Sequence, residues 1–196
     1  MSWKIVIERG NLGFAAAHFI TFGGLCEPLH GHNYGVSVEL VGALTQDSYV
    51  FDFVALKDIT RALCKAWDHR FLLPLQNPSL RLNETEREWE IIYTGAGRAP
   101  AHSAAPRLPG LEDAHTATIR YVMPKETVVA LPIDNVTAER LAQLLAADIV
   151  TRLTEDLATM PDALRALERL TVGVAETEMQ TAYYTRDLRN PDHDST

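Results

Sequence analysis

The stretch His30-Gly31-His32-Asn33-Tyr34-Gly35-Val36-Ser37-Val38-Glu39-Leu40 decides the architecture. Tyr34, Val36, Val38 and Leu40 fall on one parity, and Ser37 and Glu39 on the other. This alternation predicts a half-buried strand over roughly Asn33–Gly42. Residues i and i+2 of a strand face the same way, so His30 and His32 project together at its start.

Toward the N-terminus, Trp3, Ile5 and Ile7 alternate with Lys4, Val6 and Glu8, which predicts a first strand, broken at Gly10-Asn11. Beyond the break, Phe14, Ala16 and His18 share one parity. A loop over Thr21–Leu29, with Gly23-Gly24 and Pro28, then leads to the histidine pair. Two adjacent antiparallel strands would bring His18, His30 and His32 to one point. Three neutral imidazoles with an open position suit a catalytic zinc. Imidazole also suits iron, copper and nickel, and the competing reading is three unrelated histidines at strand ends.

Toward the C-terminus, Asp52 is placed to cap a helix over Phe53–Trp67, with Phe53, Leu56, Ile59, Leu63 and Trp67 as its apolar stripe. A second helix is predicted from Thr137, carrying Leu141, Leu144, Leu145, Ile149 and Leu153, and a short third one after Pro161. Extended pieces follow at Leu170–Thr177 and Thr181–Thr185. This order predicts an α+β fold with an antiparallel sheet. The segment 77–131 interrupts it. We expect a long hairpin there, with strands at Glu86–Tyr93 and Thr116–Val129 and a tip over Gly95–His115, plus a flexible tail at 189–196.

With 196 residues, 46% hydrophobic and 22% charged, the chain is expected to form a single domain with a sizeable core. Its net charge of −8 argues against nonspecific nucleic-acid binding. No apolar run approaches the ~20 residues of a membrane span. The first residues lack a signal-peptide layout, so a cytoplasmic location is expected. The two cysteines are not expected to form a disulfide, and Cys64 reads as a core residue of the first helix.

Other residues carry chemistry. Cys26, four residues before His30, reads either as a fourth ligand closing a structural site or as an unbound thiolate acid/base. Asp68-His69 reads either as a helix-end polar pair or as an imidazole oriented by a carboxylate. Glu176 shares the parity of Leu170, Val172 and Val174. It reads either as a solvent-facing strand end or as a carboxylate for an amidine-like edge of a guanine or pterin.

Six segments occur in order: Phe14–His18, Cys26–Tyr34, Phe51–Lys57, Asp68–Leu72, Asn135–Glu139 and Ala175–Thr177. Together they resemble the 6-pyruvoyltetrahydropterin synthase / 6-carboxytetrahydropterin synthase family. The resemblance implies a tunnelling fold (T-fold), with a four-stranded antiparallel sheet carrying two main helices on one face. It implies a homo-oligomer, a hexamer or tetramer, with active sites between subunits. On this resemblance His18, His30 and His32 match the Zn2+ ligands, Cys26 the catalytic thiol, and Asp68 and His69 the acid/base relay. Glu176 matches the pterin-anchoring carboxylate, with Thr177 beside it.

The implied reaction is that of a 6-carboxy-5,6,7,8-tetrahydropterin synthase. Dihydroneopterin triphosphate would lose triphosphate and acetaldehyde, supplying 7-deazaguanine (queuosine) synthesis. The alternatives are 6-pyruvoyltetrahydropterin synthase activity, with the side chain retained, and a noncatalytic pterin- or purine-binding protein with a structural metal. Three departures stand out: the 77–131 insertion, Val136 in place of the usual proline, and Glu27 as a second acid/base beside Cys26. The sequence assigns no triphosphate-binding cations; Arg70 and Lys57 are the nearby candidates.

Overall fold

The computed structural model describes residues 2–8, 12–95, 117–156 and 166–190. In chain order the elements are β1 (Trp3–Ile7), β2 (Gly13–His18), β3 (Thr21–Phe22), β4 (Leu25–Cys26), β5 (His30–Gly42), α1 (Phe53–Trp67), β6 (Arg70–Pro74), β7 (Leu80–Glu84), β8 (Glu88–Gly95), β9 (Ala117–Pro124), β10 (Val128–Leu131), α2 (Ala138–Asp156), β11 (Leu167–Thr177) and β12 (Gln180–Asp187).

The main sheet has seven strands and is mixed, ordered β10-β6-β2-β5-β11-β12, with β1 also on β5. It is therefore larger than the expected four-stranded antiparallel sheet. The pairings β1–β5, β5–β11 and β11–β12 are antiparallel. The additions are parallel, β6 on β2 and β10 on β6. Phe71, Leu72 and Leu73 of β6 are all buried, so this strand lacks the alternation that marks a half-exposed one.

The chain divides into two compact units, the first comprising 1–15, 33–68 and 138–196, the second 16–32 and 69–137. In the first, Val38 and Val36 of β5 lie opposite Val172 and Val174 of β11, and all four are buried. Phe14 stacks on Tyr34 at 4.8 Å and meets Trp67 edge-on at 5.3 Å. The α2 helix packs on β11 and β12. Asp52 caps α1 by accepting a 2.8 Å bond from the Ala55 amide. Leu56, Ile59, Thr60, Cys64 and Trp67 form the buried stripe of α1, whereas Phe53, expected on it, is 49% exposed in the first turn.

The second unit holds the insertion. Its described residues form a three-stranded antiparallel sheet, β7-β8-β9, in which β8 and β9 are the paired strands of the hairpin and β7 is an addition. The expected second strand over Thr116–Val129 is two strands, because a 3₁₀ turn at Lys125–Thr127 separates β9 from β10. Trp89, Ile91 and Tyr93 alternate inward from β8 onto a core with Phe19, Cys26, Phe71, Leu73, Ile119 and Val128. Residues 96–115 of the expected tip, the stretch 161–165 where a helix is expected to begin after Pro161, and 191–196 of the tail lie outside the described residues.

Candidate active site

The burial of β2 alternates, placing Phe14, Ala16 and His18 on one buried face, with His18 fully enclosed. His30 and His32 come from β5, which begins at His30 and not at Asn33. Gly31 explains how the strands meet: a Cβ there would stand 2.9 Å from the Ala16 carbonyl oxygen, tighter than a normal contact. The ring centroids of His18 and His30 are 4.5 Å apart, those of His18 and His32 5.2 Å, and those of His30 and His32 5.0 Å. One nitrogen from each ring lies within 4.8 Å of the others.

Backbone carbonyls fix two of the tautomers. His18 Nδ1 donates to the Val136 oxygen at 2.9 Å, and His30 Nδ1 to the Pro28 oxygen at 2.9 Å. A carbonyl only accepts, so each Nδ1 carries the proton and each Nε2 the lone pair that a metal takes. The His18 pKa is lowered from 6.5 to about 4, chiefly by burial and further by His30 and His32, against the opposing Val136 bond. His18 is thus neutral at physiological pH, as a ligand must be. Three converging imidazoles, two of them with fixed tautomers, fit a transition metal.

Two asparagines that sequence reasoning passed over hold this region in place. Asn135 donates to the Thr21 carbonyl at 2.8 Å and accepts from the Thr21 amide at 3.3 Å. Asn77, buried, donates to the Thr21 hydroxyl at 2.8 Å. They pin the chain just past β2, and Val136, next to Asn135, supplies the carbonyl to His18. The available signal was the Asn135-Val136-Thr137 segment, whose loop position gave no hint of this latch.

Cys26 ends the β3–β4 hairpin, paired with Thr21 across a Gly23-Gly24 turn with φ of 56° and 76°. It is fully buried, its Sγ 3.5 Å from the Glu27 carbonyl oxygen. Among the described residues, the metal-ligating cluster is the three histidines, and Cys26 stands outside it. Glu27 is also buried, 8% exposed, and its amide donates to the Ile20 oxygen at 2.9 Å.

The remaining residues are placed separately. Asp68 caps the C-terminus of α1, and its Oδ1 accepts from the Ala15 amide at 2.8 Å. His69 follows with φ of 58°, a left-handed backbone that non-glycine residues adopt at some strain. Glu176 sits where the β11–β12 register shifts, between Ala175 and Thr177, and is half-buried. This irregularity replaces the simple parity expected from Leu170, Val172 and Val174. Thr177, the last residue of β11, is exposed, its hydroxyl 3.4 Å from Gln180 Oε1. Within the first unit, an open cavity of about 630 Å³ is lined by Ala175 and Glu178, either side of this pair, together with Ser37 and Tyr183.

Residues 9–187 match the family described as 6-pyruvoyl tetrahydropterin synthase. The chain belongs to that family. A Methanocaldococcus jannaschii protein, provisionally named a 6-carboxy-5,6,7,8-tetrahydropterin synthase, is 29% identical over 146 residues, covering 74% of this chain and 76% of its own. A Halobacterium salinarum relative given the same activity in its name is 46% identical over 55 residues, 28% of this chain and 34% of its own. The Plasmodium vivax 6-pyruvoyltetrahydropterin synthase structure superposes with a TM-score of 0.76 at 29% identity, covering 95% of this chain and 99% of its own. A variant of that enzyme is described as substituting a catalytic glutamate by alanine. Family membership makes the chain a pterin-acting lyase of T-fold architecture. Among the described residues, no helix is long and apolar enough to cross a membrane.

Proposed function

We propose that this chain is a zinc-dependent 6-carboxy-5,6,7,8-tetrahydropterin synthase, converting 7,8-dihydroneopterin triphosphate with loss of triphosphate and acetaldehyde. The observation that carries the reading is the cluster of His18, His30 and His32, with Cys26 buried nearby in the chain but outside the cluster. That arrangement favours an open three-ligand site over a closed structural one. The names of the archaeal relatives favour this branch of the family.

A bound zinc ion would supply Lewis acidity toward the side-chain hydroxyls of the pterin. The chain's own residues then divide the work. Cys26, as thiolate, removes a side-chain proton, and burial keeps water from competing for it. His69, with Asp68, moves protons to and from oxygen. Glu176, with Thr177 beside it, anchors the pterin by accepting paired N–H bonds. The product would enter 7-deazaguanine synthesis. Among the described residues β12 is a sheet edge with one side unpaired, which supports a homo-oligomer, a hexamer or tetramer with sites between subunits, and we place it in the cytoplasm.

A second reading gives the proton-transfer role to Glu27. The Plasmodium vivax relative's catalytic residue is described as a glutamate, and Glu27 is a buried carboxylate beside Cys26. One experiment separates the readings. The protein, with and without added zinc, is incubated with 7,8-dihydroneopterin triphosphate and the products are identified by mass spectrometry. Cys26→Ala abolishing zinc-dependent acetaldehyde release supports the first reading. Activity surviving in Cys26→Ala but lost in Glu27→Gln supports the second. Turnover that ignores zinc and both substitutions would sink the assignment.

A further inference from the structure

The inserted β7-β8-β9 sheet has no role in the reaction as described, yet its middle strand reaches the hairpin that carries Cys26. Trp89, Ile91 and Tyr93 of β8 share one cluster with Cys26. Tyr93 does more than fill space, because its hydroxyl donates a hydrogen bond to the Gly24 carbonyl oxygen, in the turn two residues before Cys26. Burial, and next the charge of Cys26, push the Tyr93 phenol above its ordinary pKa, so it stays a donor at neutral pH. Gly95, the next residue on the same face of β8, is what leaves room. A Cβ there would overlap the Tyr93 hydroxyl and stand 2.9 Å from the Gly24 oxygen.

The hairpin needs such an anchor. Its strands have two residues each, and its turn is a glycine pair, the most permissive of dipeptides. A ladder that short cannot hold its own register in water. We propose that Tyr93 is the positioning residue for Cys26: it clamps the Gly23-Gly24 turn through the space above Gly95 and so holds the thiol in place. The insertion then serves the reaction through this clamp. The proposal rests on Cys26 being the proton carrier.

The test measures two quantities on the zinc-loaded protein. One is the rate of iodoacetamide alkylation at Cys26, mapped by peptide mass spectrometry, with buried Cys64 as an internal reference. The other is kcat and KM for 7,8-dihydroneopterin triphosphate. Tyr93→Phe keeps the ring and loses the hydroxyl. A net hydrogen bond of ordinary strength predicts Cys26 alkylation about fivefold faster, with Cys64 unchanged. The same variant lowers kcat and leaves KM near wild type. Gly95→Ala, which displaces the phenol, reproduces both effects.

Alkylation rising equally at both cysteines shows general loosening and overturns the proposal. So does a Tyr93→Phe variant with wild-type alkylation, or with faster alkylation and unchanged kcat while Cys26→Ala is dead. If Cys26→Ala turns over at the wild-type rate, the catalytic reading of Cys26 fails by itself. The alkylation ratio then still decides whether Tyr93 clamps the hairpin.

Discussion

Gly31→Ala is the sharpest probe of the histidine cluster, because the substitution adds one methyl group and removes no ligand. The added Cβ would stand 2.9 Å from the Ala16 carbonyl oxygen and 3.5 Å from both the Ala16 carbonyl carbon and the Ala17 Cα. All three are backbone atoms, so no rotamer change relieves the contact. Restoring an ordinary separation moves β2 and β5 apart by about 0.4 Å. His18 is two residues from Ala16, and His30 and His32 flank Gly31, so the shift falls directly on the ligands. Metal–ligand distances tolerate only about ±0.2 Å. The expected outcome is an overpacking cost of ~1–3 kcal/mol in the metal-free protein and a zinc affinity lower by roughly 10- to 100-fold. Competition against a chromogenic chelator measures the affinity, and thermal melts with and without zinc measure the stability. Gly35→Ala on the same strand is the control, since its Cβ would meet only the Ala175 Cβ at 3.7 Å, an ordinary contact. Wild-type zinc affinity in Gly31→Ala, or equal losses in both variants, refutes the geometry argued here.

Two further outcomes are expected. In the metal-free protein the native His18 pKa, about 4, lies below the unfolded value of 6.5. Above pH 6.5 both states are neutral and the stability is fully present. As pH falls from 6.5 toward 4 the unfolded chain binds a proton that the native one does not, so up to ~3 kcal/mol is lost. Urea unfolding across that window should therefore be flatter in His18→Leu than in wild type, and equal slopes would refute the assignment. Glu176→Gln, by losing a charged acceptor worth ~1.5–3 kcal/mol, should raise KM for the pterin by about tenfold or more without altering zinc affinity. An unchanged KM would remove Glu176 from the binding site.

The parts of the fold legible in the sequence are those whose signal is local. The α1 helix announced itself through Asp52 and a stripe at helical spacing, and its bounds agree with the structure. The histidine cluster was legible because strand parity is a strict period of two, and His18 shares a face with Phe14 and Ala16. β6 was not legible: its Phe71-Leu72-Leu73 run is buried on both faces, and its partner β10 lies more than 50 residues away. β7 was missed because its alternation, Leu80 and Leu82 against Arg81 and Asn83, spans too few residues to stand out. The surroundings of Cys26 were equally hidden, since most of its apolar cluster comes from β6, β8, β9 and β10, distant in sequence.

The residues bracketing the insertion show why it is part of the site's construction. Asn77 stands just before β7, and Asn135 and Val136 follow β10. From one side Asn77 holds the Thr21 hydroxyl, from the other Asn135 holds the Thr21 backbone, and Val136 fixes the His18 tautomer. Between them β8 covers Cys26 and holds the Gly24 carbonyl. Every residue from His18 to Cys26 that carries chemistry is therefore held by the segment that follows β6. A loop bearing two adjacent glycines would otherwise have the conformational freedom to misplace both a ligand and a thiol. The order of that loop is thus supplied by residues distant in sequence. That is the physical reason why the histidine cluster could be read from strand parity while the residues holding it could not.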